Sequence, residues 1–154
     1  MKKLSRRNKQ LHTYLVGLFL QHQKALVSGD CKQAASLLKR YRDALLHHMS
    51  IEEAYLLPLY RRAGEASPGG APELFYGEHW KLRNFLPRLE KQMGAVLAAA
   101  DDHAEAVIEL MDLERTYKDL VAHHDLRERN LLYPTCDKLA SPDEQDLILS
   151  LLKR

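Results

Sequence analysis

Apolar residues recur at spacings of three and four along almost the whole chain, and no stretch alternates in the manner of a strand. That pattern predicts helices packed through one face. Breakers divide the run into lengths. The "SGD" at Ser28 to Asp30 separates a first helix from a second, and "GEASPGGAP", Gly64 to Pro72, is the loop-rich segment that ends the second. "AADDHAE" around Asp101 breaks a third helix from a fourth. Ser141 as N-cap, Pro142 at the first helical position and Glu144 three residues after the cap form a capping box before a short last helix. Four helices of roughly 20 to 30 residues joined by short turns predict an all-α fold: an up-down-up-down four-helix bundle with a short C-terminal helix.

Composition narrows this picture without changing it. The 154 residues carry no linker that would split them, so residues 1–154 are expected to form one domain. Hydrophobic residues make up 45% and charged residues 29%, the balance of a soluble globular chain. A formal charge of +2 is too small to argue for nucleic acid or a membrane surface, and neither is expected as partner. The basic start "MKKLSRRNKQ" precedes "LHTYLVGLFLQH", whose apolar run is short, interrupted by Gly17 and without a small-residue cleavage site, so it is not read as a signal peptide. Cys31 and Cys136 form no CxxC pair and suit a reducing compartment. The expected location is the cytoplasm.

An internal echo carries the chemistry. "YRDALLHHMSIEEAYLLP" (41–58) and "YKDLVAHHDLRERNLLYP" (117–134) align without gaps at an offset of 76 residues. Tyrosine, aspartate, both histidines, a glutamate, a leucine and the proline coincide. Amphipathicity alone would preserve leucines, not His-His and Glu at fixed offsets. In each copy the second histidine and the shared glutamate are four apart, His48 with Glu52 and His124 with Glu128, so both lie on one helix face. The first histidines, His47 and His123, point about a quarter-turn away.

Two residues of an antiparallel hairpin share a level when they are equidistant from its turn. His12 and His48 are each 18 residues from Asp30, and His79 and His124 are centred between Asp101 and Asp102. His22 and His48 would be centred on Ala35, inside a helix, so His22 is at the wrong height. His12, His48, Glu52, His79, His124 and Glu128 can therefore meet in one layer, with a contribution from every helix. Unpaired, such a layer would cost several kcal/mol per buried group. A metal cluster would compensate it. Nitrogen and oxygen donors without thiolate suit iron or manganese, with zinc possible. Two carboxylates can bridge two ions, and six ligands for two metals leave positions open to a small molecule.

At these residues the chain resembles the hemerythrin-like family of HHE cation-binding domains. The pattern of one histidine on the first helix, HxxxE and a proline on the second, a histidine on the third and HxxxE on the fourth matches His12 before "TYLVGLF", then "HMSIEEAYLLP", "GEHWKLRNFL" and "HDLRERNLLYP", over about residues 8–140. The resemblance implies a four-helix bundle around a non-haem di-iron site, that is, two iron ions, with manganese or zinc behind iron. Two departures count against reversible dioxygen carriage. Arg83 stands where the dioxygen carriers have a further third-helix histidine, and the last motif is HxxxE rather than HxxxxD. One metal is thus expected to lack a nitrogen ligand unless a tyrosine or solvent fills the place. The N-terminal cysteine-bearing segment of the family's iron–sulfur repair members has no counterpart in the short basic start.

Binding or sensing of dioxygen, nitric oxide or iron is the first functional reading. A di-iron enzyme acting on peroxide or nitric oxide, or an iron donor in iron–sulfur cluster repair, is the second, and turnover is placed behind binding. A partner-binding bundle with a structural metal is the third. Tyr41 and Tyr117, each seven residues before a motif histidine, are read as core residues near the site, and Arg83 as partner to a ligand carboxylate, holder of an anion, or a solvated side chain. Glu53 is read as solvated, and His22, His47, His103 and His123 receive no role. Pro58 and Pro134 are expected to end or bend their helices just past the site, and Pro87 to kink the third.

Overall fold

The computed structural model describes residues 3–65, 67–99 and 101–152, and all regular structure among them is helical. Helix α1 spans Lys3–Val27 and α2 spans Cys31–Ile51. A π-helical turn, Glu52–Leu56, continues α2 directly into α3, Leu57–Arg61. After the loop come α4, Pro72–Ala98, and α5, Ala104–Arg127. A second π turn, Glu128–Leu132, leads into α6, Tyr133–Leu139, and α7 closes the order at Pro142–Leu151.

Local chemistry sets these boundaries. Gly29 takes φ +83°, the left-handed conformation that turns the chain between α1 and α2. Asp30 then caps α2, its carboxylate accepting from the Gln33 N–H at 3.1 Å. Ser141 caps α7 in the same way through the Glu144 N–H. The start of α1 is capped from far away: Asp137 of α6 accepts from the Leu4 N–H at 2.9 Å and from the Ser5 hydroxyl at 2.6 Å. That clamp fixes α1 against the end of the chain.

The two prolines do not stop their helices. Pro58 and Pro134 occupy the second residue of α3 and α6, immediately after the π turns. Proline removes one backbone donor and its ring collides with the carbonyl four residues back in a regular helix. The wider π turn relieves that conflict, with the Leu57 and Tyr133 N–H groups reaching back to the carbonyls of Glu52 and Glu128. Both π turns therefore begin at the echo's shared glutamate. Helix α4 continues through Pro87 as a single element.

The apolar interior has two parts. One cluster joins Leu15, Phe19, Leu38, Tyr41, Leu45, Leu82, Leu89, Leu110 and Tyr117, and the other joins Leu4, Leu11, Leu56, Leu57, Phe75, Leu132 and Tyr133. Between Leu11 and Leu15 on α1 stands His12, and between Leu45 and Ile51 on α2 stands His48. A polar layer thus separates two apolar ones. No described helix is long and apolar enough to cross a membrane.

Candidate metal centre

The polar layer draws His12 from α1, His48 from α2, Glu52 from the π turn after it, His79 from α4, His124 from α5 and Glu128 from the second π turn. Glu52 and His79 are fully buried, and His48, His124 and Glu128 are at most 4% exposed. His12 is half-buried at the edge. The arrangement follows the carboxylates. Glu52 turns Oε1 to His48 Nε2 and Oε2 to His79 Nε2, the latter at 3.7 Å. Glu128 turns Oε1 to His124 Nε2 and Oε2 to His12 Nε2 at 3.3 Å and His48 Nε2 at 3.8 Å. The donors therefore sort into two sets, His79 with His124 and His12 with His48, and each carboxylate gives one oxygen to each set. Within the groups Glu52–His79–His124–Glu128 and His12–His48–Glu128, one donor atom per residue lies within 4.8 Å of the others.

These atoms fit a cation better than they fit one another. Both oxygens of Glu52 and of Glu128, both ring nitrogens of His48 and His79, and Nε2 of His124 are buried without a hydrogen-bond partner. Native interiors rarely leave so many polar atoms unsatisfied in one place. The first group offers two nitrogens and two carboxylate oxygens and the second two nitrogens and one carboxylate oxygen, mixed donors suited to iron or a similar divalent metal. Each set has two nitrogens, so Arg83 in place of a further histidine leaves the two sets balanced.

Without metal, protons mediate the same attractions. Burial alone would lower the His48 pKa, but Glu52 and Glu128 push it up to about 10. His124 rises well above its ordinary value against the same burial, chiefly through Glu128. Burial would raise both carboxylates, and Glu128 would raise Glu52 further, yet the surrounding imidazoles hold Glu52 below and Glu128 well below the usual range.

An outer ring of carboxylates supports three of the four histidines. Glu78 accepts from His124 Nδ1 at 3.0 Å, Glu53 faces His79 Nδ1 at 3.4 Å, and Asp125 faces His12 Nδ1 at 3.6 Å. A proton kept on Nδ1 leaves Nε2 free to bind a cation. Two of these carboxylates are themselves tied by arginine. Arg83 grips Glu53 through two bonds of 2.7 and 2.5 Å, and Arg127 Nε reaches both oxygens of Glu78 at 3.1 and 3.2 Å. The Arg83 bonds hold Glu53 below its ordinary pKa. Asp125 has no such partner, and burial pushes it up to about 6.

The structure corrects the sequence reading here. Glu53 is not solvated: it links Arg83 to His79, so Arg83 meets the candidate site at one remove and pairs with no inner carboxylate. Glu78 and Asp125 went unnoticed. The available signal was adjacency, since Glu53, Glu78 and Asp125 each neighbour an inner residue in sequence. A residue one position on points about 100° around the helix, toward the next helix in the bundle.

Other positions fall outside the layer. His47 and His123 are exposed. His22 is fully buried, with Nε2 2.5 Å from Glu114 and Nδ1 2.7 Å from the Ala34 carbonyl, a self-contained pair that reaches none of the layer. Tyr41 and Tyr117 lie in the apolar cluster beside the layer, their hydroxyls bonded to each other at 2.8 Å. On the opposite side the Tyr133 hydroxyl is buried without a partner, and burial with Glu52 and Glu128 nearby raises its pKa well above normal. It stands one π turn beyond Glu128, where the echo has Leu57.

No curated protein and no solved structure matches this chain. The model of the hemerythrin family, described as the hemerythrin HHE cation binding domain, does match residues 6–73, which contain His12, His48 and Glu52. The remaining three inner residues, His79, His124 and Glu128, lie beyond the matched segment, and the fold brings them to the same layer. Over residues 6–73 the chain is therefore similar to the hemerythrin HHE cation binding domain.

Proposed function

We propose that the chain is a single-domain, up-down-up-down four-helix bundle that binds two iron ions and uses them to bind or sense a small ligand such as dioxygen or nitric oxide. The observation that carries this reading is the division of donors: Glu52 and Glu128 each offer one oxygen to each of two histidine pairs. Iron held there would supply open coordination positions and accessible redox states.

The protein's own residues would do the rest. His79 and His124 would hold one ion and His12 and His48 the other, and the two carboxylates would serve both and balance charge. Glu78, Glu53 and Asp125 fix which imidazole nitrogen faces inward. The apolar clusters pack against the layer on both sides, which strengthens the electrostatic contacts of its buried members.

Elemental analysis of protein purified without added metal or chelator tests the reading first. Close to two irons per chain, followed by a change in the visible spectrum with nitric oxide or dioxygen, is expected. His48→Ala and His124→Ala should each sharply lower metal content, whereas His47→Ala should not. No metal after purification, with none taken up on anaerobic addition of ferrous iron, refutes it.

A further inference from the structure

A cavity of about 320 Å³ opens beside the candidate centre, between α1, α2 and α5. Its floor is made by His12, His48, His124, Asp125 and Glu128, and its walls by apolar side chains such as Leu15, Leu45, Met49 and Val121. Dioxygen or nitric oxide would occupy a small part of it. An apolar protein cavity of about 150 Å³ already admits benzene, and ligand pockets for organic molecules begin near this cavity's size.

The polar groups along the wall are already paired. The Tyr41 and Tyr117 hydroxyls bond to each other, which leaves one O–H between them on an otherwise apolar wall. At the rim, Gln23 accepts from Lys118 Nζ at 3.2 Å and donates to Glu114 at 3.1 Å. Only the floor combines ionisable groups with unpartnered atoms. The rim also exposes Val16 at 57% and Leu20 at 49%, one turn apart on α1, so the approach is apolar as well.

We propose that this cavity binds an uncharged, largely apolar organic molecule about twice the size of benzene, and holds it against the candidate metal ligands. Its apolar body replaces water along the walls, and whatever group it turns to the floor meets the histidine–carboxylate layer. The inference rests on the iron reading only in placing that molecule beside a metal. Binding itself needs no metal.

Naphthalene, followed by its own fluorescence, is the probe. Titrated into the full-length protein, both metal-free and iron-loaded, it is expected to saturate at one molecule per chain. Ala122→Trp, at an exposed rim position, and Val121→Trp, within the wall, narrow the cavity from α5. In whichever of them keeps the wild-type melting temperature, binding should weaken about tenfold or more, while Leu97→Trp, remote from the cavity, should leave it unchanged. In the iron-loaded protein naphthalene should also shift the visible spectrum.

No saturable binding up to the solubility limit in either form overturns the inference, as does undiminished binding in a folded plug variant. Iron content measured on the same samples separates the two readings. Iron uptake without naphthalene binding removes this inference alone. Naphthalene binding without iron uptake removes the iron reading and leaves the cavity site standing.

Discussion

Removing Glu78 should weaken metal binding more than removing either of the other outer carboxylates. Loss of such a partner costs roughly 10- to 100-fold in affinity, or about 1.4–2.7 kcal/mol. Geometry ranks the three. Glu78 makes a true hydrogen bond to His124 Nδ1 at 3.0 Å, and Arg127 holds it in position. His124 is only 3% exposed, so water is a poor substitute. Glu78→Ala therefore belongs at the upper end, about 100-fold. Glu53 lies at 3.4 Å from His79 and should fall between, and Asp125, at 3.6 Å from a half-buried His12, should cost about 10-fold or less. Arg127→Ala acts only through Glu78 and should cost less than Glu78→Ala. Anaerobic competition of ferrous iron between each variant and a chromophoric chelator measures these constants, with melting of the metal-free proteins as a check on folding. Wild-type affinity in Glu78→Ala, or a larger loss in Asp125→Ala, would refute the assignment of the outer ring.

The tyrosine pair lends itself to a double-mutant cycle. Tyr41→Phe or Tyr117→Phe strands one buried hydroxyl and should cost about 1–3 kcal/mol, lowering the melting temperature by roughly 2–4 °C per kcal/mol, whereas the double variant should recover most of the loss; additive losses in calorimetry would show the pair is not coupled. His22→Ala leaves Glu114 buried with only Gln23 beside it and should destabilise by about 3–5 kcal/mol in denaturant unfolding, without changing iron content. In metal-free protein the His48 pKa lies at about 10, above its ordinary 6.5. Its contribution to stability is thus full below about pH 6.5 and lost as pH rises through about 10. The carboxylates, shifted down, lose theirs as pH falls below their ordinary 4.5. Metal-free melting temperatures should therefore decline from pH 7 to 10, and His48→Gln should flatten that decline; a pH-independent melt would contradict it.

The helical class and its breaks were written in local patterns: apolar spacing, Gly29 with Asp30, Ser141 with Pro142. So was the inner layer, because helical rise is regular enough for counting from a turn to predict level, as His12 with His48 and His22 without them illustrate. The sequence by itself therefore determined which residue types could meet and at what height. It could not determine sideways direction. Whether Glu53 faces solvent or His79, and whether His22 is idle or buried on Glu114, depends on how each helix is rotated against its neighbours. The π turns lay equally beyond reach: the prolines announced a disturbance, but only packing of both sides of the layer decided that it would be absorbed as a widened turn rather than a stop. The cavity belongs wholly to the tertiary structure. It is space left between three helices, set by the shapes of side chains far apart in the chain, and no local pattern encodes a volume that no residue fills.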